Sequence, residues 1–83
     1  MTQAFIEKQV MRTIADLALR DTEEVNASDT LSDDLGFDSL DRTELTMTLE
    51  ENFLDDHRIP EEIADGWKKV SDVVKTITSM LEE

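Results

Sequence analysis

Apolar residues recur along this chain at helical spacing. Ile6, Val10, Ile14 and Leu17 fall at i, i+4, i+8 and i+11, a single stripe that fades near Arg20-Asp21. From Thr22 to Gly36 the residues change to turn and cap formers, including Asn26, Ser28, Asp29, Ser32 and Asp33. Val25, Leu31 and Leu35 in that stretch read as plugs that pin a long loop to the core. Loops of this length in compact domains are usually functional or closely packed. A second helix is expected from about Ser39 to Phe53, with Leu45, Leu49 and Phe53 as its buried stripe. Leu54-Asp55-Asp56-His57-Arg58 reads as a polar connector. Pro60 suits a first helical position, with Glu61 and Glu62 facing the positive end of the dipole. That predicts a short third helix over 60–65, ended by Gly66. Val70, Val73, Val74, Ile77 and Leu81 mark the last helix. The pattern predicts an all-α fold. It is a small bundle of three longer helices plus one short helix, with a long loop between the first and second helices and residues 1–83 as a single domain.

Composition narrows the choice. Hydrophobic residues make up 39%, enough for one small aliphatic core, so disorder throughout is excluded. Two Gly and one Pro are few for an all-β domain. No apolar run approaches the ~20 residues of a membrane span, and the opening Met1-Thr2-Gln3-Ala4-Phe5 lacks a signal peptide's basic and apolar regions. A cytoplasmic, non-spanning protein is the expectation. The absence of cysteine excludes disulfides and thiolate metal sites.

Charge singles out the middle of the chain. The net charge is -13, and Asp21 to Asp65 holds 16 acids against Arg42 and Arg58. Such self-repulsion costs stability in a small domain. Nucleic acid is a poor partner for this surface, and proteins with basic patches are good ones. An EF-hand fails on register. With Gly36 at position six, Leu31 falls at one, Leu35 at five and Arg42 at twelve, where oxygen ligands are needed. No metal site is expected beyond loose screening by Asp33, Asp34, Asp38 and Asp41.

The candidate chemistry converges on Ser39. A nucleophilic serine needs an adjacent base and an oxyanion site. The single histidine, His57, lies beyond the far end of the second helix, out of hydrogen-bond reach at ~1.5 Å per residue. No catalytic residue is therefore assigned, and the protein is not expected to be an enzyme. Asp38 or Ser39 can cap the helix, with Asp41 in its first turn. A helix start also favours an anion, so a phosphodiester on Ser39 fits, and a phosphoserine satisfies the same physics. Helical geometry adds a surface. Leu40, Glu44, Met47 and Glu51 lie nearly opposite the buried stripe, flanked by Asp38, Asp41 and Glu50. These seven residues read as a partner-recognition face, with apolar anchors among steering carboxylates.

The run Asp34-Leu35-Gly36-Phe37-Asp38-Ser39-Leu40-Asp41 resembles the prosthetic-group site of acyl carrier proteins. The similarity extends through Glu23-Glu24-Val25, Glu44-Leu45-Thr46-Met47, Leu49-Glu50-Glu51-Asn52-Phe53 and Ile59-Pro60. The resemblance implies covalent 4'-phosphopantetheine on Ser39, installed from coenzyme A by a phosphopantetheinyl transferase. It implies a free-standing, monomeric carrier of acyl thioesters, serving fatty acid or specialised lipid and polyketide biosynthesis. Its partners would be acyl-loading and acyl-processing enzymes with basic docking patches. An aminoacyl or D-alanyl carrier, or an unmodified acidic helical adaptor, stays open. The resemblance also implies an interior that accepts the acyl chain, with Leu31, Leu49, Phe53, Ile63, Trp67, Val73, Val74 and Ile77 as candidate lining. Trp67 stands where the family commonly has an aliphatic residue and would narrow or cap that space. Residues 54–58 are about two longer than in the general fatty-acid type, and Phe37 is common in polyketide and peptide-synthetase carriers.

Overall fold

The computed structural model of the protein describes residues 2–55 and 57–82. Its helices, α1 (Gln3–Ala18), α2 (Ser39–Phe53), α3 (Glu61–Asp65) and α4 (Val70–Glu82), form the predicted bundle. Asp56 of the connector and Glu83 lie outside the described residues.

Each long helix starts and ends for a local reason. The Thr2 hydroxyl caps α1 by accepting the Phe5 N–H at 3.2 Å. That helix ends at Leu19, whose φ of 58° is left-handed. There the Leu19 N–H reaches the Ala15 and Asp16 carbonyls that the helix leaves open. Ile6, Val10, Ile14 and Ala15 are the buried face of α1, and Leu17 is only half-buried. In α2 the burial is narrower than the stripe predicted: Leu45 and Leu49 are enclosed, while Phe53 lies half-buried against the core. Val70, Val73, Val74 and Ile77 complete the core from α4, and Leu81 is half-buried.

The long loop is pinned as its apolar plugs imply. Val25, Leu31 and Leu35 are buried, joined by Phe37. Its backbone also runs briefly antiparallel to the segment before α4. The Leu31 N–H donates to the Lys68 carbonyl at 2.9 Å, and the Val70 N–H to the Asp29 carbonyl at 3.0 Å. The Asp34 carboxylate accepts the Thr30 N–H at 2.8 Å and closes the turn before Gly36, which has a φ of 72°. That left-handed value is cheap only for glycine. So the loop delivers the chain to Asp38 in a defined direction.

Three expectations are corrected. Leu54 is buried, so residues 54–58 are not a wholly polar connector. Its side chain covers the end of the core just past α2. Pro60 sits at the N-cap of α3, with extended ψ of 135°, and the helix begins at Glu61. Ile63 is 43% exposed. A five-residue helix can turn only a narrow arc inward, and Ala64 occupies it.

Candidate functional site

Capping assigns roles at the start of α2. The Asp38 carboxylate accepts the Asp41 N–H at 2.9 Å, and the Asp41 carboxylate accepts the Asp38 N–H at 3.1 Å. This reciprocal box satisfies two backbone donors without Ser39. The Asp41 N–H holds the Asp38 carboxyl below the usual carboxylate range. Ser39 is left as the first helical residue, exposed, with its carbonyl accepting from the Thr43 hydroxyl at 3.0 Å. Its hydroxyl therefore stands at the positive end of α2, outside the capping network.

The outward face of α2 follows the helical projection. Leu40 is 66% and Met47 55% exposed, and Asp38, Glu44 and Glu51 are exposed with them. Asp41 and Glu50 are half-buried and committed to intramolecular bonds. Asp41 completes the box, and the Glu50 carboxylate accepts the Ile59 N–H at 2.7 Å. That bond ties the connector to α2.

A groove of about 460 Å³ opens between α2 and α3. It runs from Ser39 past Arg42, Thr43, Thr46 and Met47 to Glu50, with Arg58, Ile59, Glu61, Ala64 and Asp65 opposite. The Arg42 guanidinium donates to the Ala64 carbonyl at 3.3 Å and spans the two helices near the Ser39 end. None of the eight candidate chain-lining residues borders this groove. Leu31, Leu49, Val73 and Ile77 are fully buried in the core, with Val74 buried beside them. Trp67 is buried, and its indole N–H donates to the Thr76 hydroxyl at 2.9 Å.

Arg42 stands out in the sequence only as one of two bases among the acids, and Thr43, Thr46, Arg58 and Ile59, taken singly, carry no sign there of lining a groove. A signal was available. Ser39, Thr43, Thr46 and Glu50 recur at helical spacing as a polar stripe beside the buried one. Among the described residues, no group of three or more His, Asp or Glu is placed to hold a metal ion.

A family model for the phosphopantetheine attachment site matches residues 8–77. The chain belongs to that family of carrier proteins. It is 46% identical over 70 residues to acyl carrier proteins from three Clostridium perfringens strains, covering 84% of this chain and 90% of each relative. It also superposes with a TM-score of 0.80 on the solved structure of a protein assigned as an acyl carrier protein from Mycobacterium tuberculosis. That pair is 34% identical, with 89% of this chain and 96% of the other covered. Members of the family are carriers rather than enzymes, and the prosthetic group is covalent 4'-phosphopantetheine. The start of α2 fits this group chemically. It offers an exposed hydroxyl at the positive end of the helix dipole, where a phosphodiester is favoured, and an open groove leading away. Among the described residues, no helix of this carrier is long and apolar enough to cross a membrane.

Proposed function

We propose that Ser39 is the attachment residue and that the chain carries acyl groups as thioesters between the enzymes that build and process them. The setting is cytoplasmic fatty acid, specialised lipid or polyketide assembly. The observation that carries the assignment is the division of labour at the start of α2. Asp38 and Asp41 cap each other, so the Ser39 hydroxyl is accessible and its loss leaves the cap intact. The pantetheine group supplies a thiol, which this cysteine-free chain lacks. The chain's own residues present the site. Leu40 and Met47 offer apolar contact, and Asp38, Glu44 and Glu51 steer basic patches of a phosphopantetheinyl transferase and of acyl-processing enzymes. Asp41 and Glu50 add charge to that face while holding backbone N–H groups. Such docking is transient and weakened by salt.

Incubation with a phosphopantetheinyl transferase and coenzyme A tests the assignment by intact mass. The expected result is a gain of one phosphopantetheine that Ser39→Ala abolishes. Persistent modification of Ser39→Ala would move the site elsewhere, and an unmodified wild-type protein would favour an acidic adaptor.

A further inference from the structure

Among the described residues, Leu19 is the large apolar side chain most open to solvent, at 92%, ahead of Leu40 at 66%. It also holds a φ of 58°, a left-handed value that disfavours a residue with a Cβ and suits glycine. Helix capping accounts for the backbone only. The Leu19 N–H reaches the Ala15 and Asp16 carbonyls, and the Arg20 N–H reaches the Ala15 carbonyl at 2.9 Å. Glycine makes the same bonds with less strain. A leucine here carries strain and bare apolar surface with no return inside the molecule. Outliers of that kind point to a role outside it.

The path of the chain fixes where Leu19 lies. The long loop leaves α1 at this residue, runs beside the segment before α4, and comes back. On its return the Arg20 guanidinium donates to the Asp34 carbonyl at 3.1 Å, shortly before the chain enters α2 at Ser39. The end of α1 and the start of α2 therefore share one pole of the bundle, and Leu19 and Leu40 are both exposed there. Asp16 and Asp21 are exposed on either side of Leu19 in the chain, as are Asp33 and Asp34 in the loop tied to it. This repeats the chemistry of the α2 face. An apolar anchor among carboxylates fits an apolar pocket rimmed by bases.

Reach then selects the partner. A pantetheine arm has about fourteen bonds from the serine oxygen to sulfur, or ~16 Å at the ~3.5 Å per three bonds of an extended chain. An enzyme that works on the thiol can stand that far from the pole. One that works on the Ser39 hydroxyl cannot. In the transfer, the Ser39 oxygen bonds to the pantetheine-bearing phosphorus of coenzyme A and the pyrophosphate bond breaks. Adenosine 3',5'-bisphosphate leaves, and the serine proton passes to the transferase. That step brings the transferase onto the pole where Leu19 stands.

We infer, resting on the carrier reading, that Leu19 is a docking anchor for the phosphopantetheinyl transferase, presented by its strained backbone to an apolar pocket with a basic rim on the enzyme that must reach the Ser39 hydroxyl.

The test uses a transferase that modifies the wild-type protein, with coenzyme A and a varied concentration of carrier. Leu19→Gly is expected to raise the KM for the carrier about five- to tenfold with kcat nearly unchanged, although the variant is the more stable protein. Leu19→Met, which keeps an apolar side chain, should retain most of the wild-type kcat/KM. Cross-saturation NMR adds a direct readout on Ser39→Ala protein bound to the same transferase. The methyl signals of Leu19 are expected to lose intensity together with those of Leu40. Wild-type kinetics for Leu19→Gly would overturn the proposal. So would Leu19 methyl signals that keep full intensity while those of Leu40 fade. Both results leave the carrier reading standing. Failure of wild-type protein to gain any mass would overturn the carrier reading itself, and this proposal with it.

Discussion

Thr78 illustrates how much a single atom decides here. Its hydroxyl lies buried on α4 without a hydrogen-bond partner among the described residues. A buried, unpaired hydroxyl is costly, and valine has the same shape without it. Thr78→Val is expected to stabilise the protein by about 1–2 kcal/mol, read as a raised urea midpoint with unchanged slope. Asp38 makes the opposite contribution. Its folded-state pKa lies below the ordinary 3.8 because the Asp41 N–H bonds the ionised carboxylate. A depressed carboxylate contributes stability that is present above the unfolded value and lost as pH falls through the folded one. Asp72 behaves alike, held below 3.8 by the Lys69 and Lys68 N–H groups. Both contributions are therefore expected to fade only below about pH 3.8. Asp38→Asn, which keeps an acceptor at the cap, should flatten that part of the melting-temperature profile between pH 4 and 2. An identical slope in wild type and variant would contradict this.

At the level of elements, α1 ends on a residue poorly suited to its backbone. Leu19 holds φ 58° while 92% exposed, so it takes left-handed strain and buries almost nothing in return. Leu19→Gly relieves the Cβ clash and should raise stability by roughly 0.5–1 kcal/mol, measurable by chemical denaturation. The second helix contrasts with the first. Leu45 and Leu49 anchor it from within, with Phe53 half-buried at its end, and Thr43, Thr46 and Thr48 turn their hydroxyls to carbonyls one turn back. It contributes little to the core and presents most of its surface outward. Reversing charge at Glu44 and Glu51 should therefore slow phosphopantetheine transfer by about tenfold at low ionic strength. Helicity by circular dichroism should stay unchanged, since both side chains are exposed. Wild-type rates at low salt would contradict the steering role.

Across the whole molecule, a net charge of -13 is confined within a radius of gyration of 11.5 Å. At ~0.01 M salt the screening length of ~30 Å exceeds that radius, whereas at ~0.15 M it falls to ~8 Å. Raising salt over this range is expected to raise the melting temperature. A flat or falling temperature would mean that local pairing already neutralises the acidic segment. The same salt should slow encounter with basic partners, so stability and docking respond in opposite directions. That opposition separates the two effects of one surface.

Residue order alone determined the three long helices and the position of the candidate site in the chain. Apolar spacing is a local property, and a period near 3.6 leaves one stripe that must be buried. The start of α2 was equally legible, because turn formers followed by Asp38 and Asp41 are a capping signal read over four residues. The exposure of Leu40 and Met47 followed from the same geometry. Tertiary structure decided what depends on distant segments meeting. Whether Asp38 or Ser39 capped the helix was settled by the reciprocal bonds. Glu50 became the holder of the Ile59 N–H, Leu54 joined the core, and Ile63 turned to solvent because Ala64 took the inward arc of a short helix. The α2–α3 groove belongs to the same class. Its walls come from residues 39–50 and 58–65. No local period encodes the space between two helices, because that space is set by how both pack on a shared core.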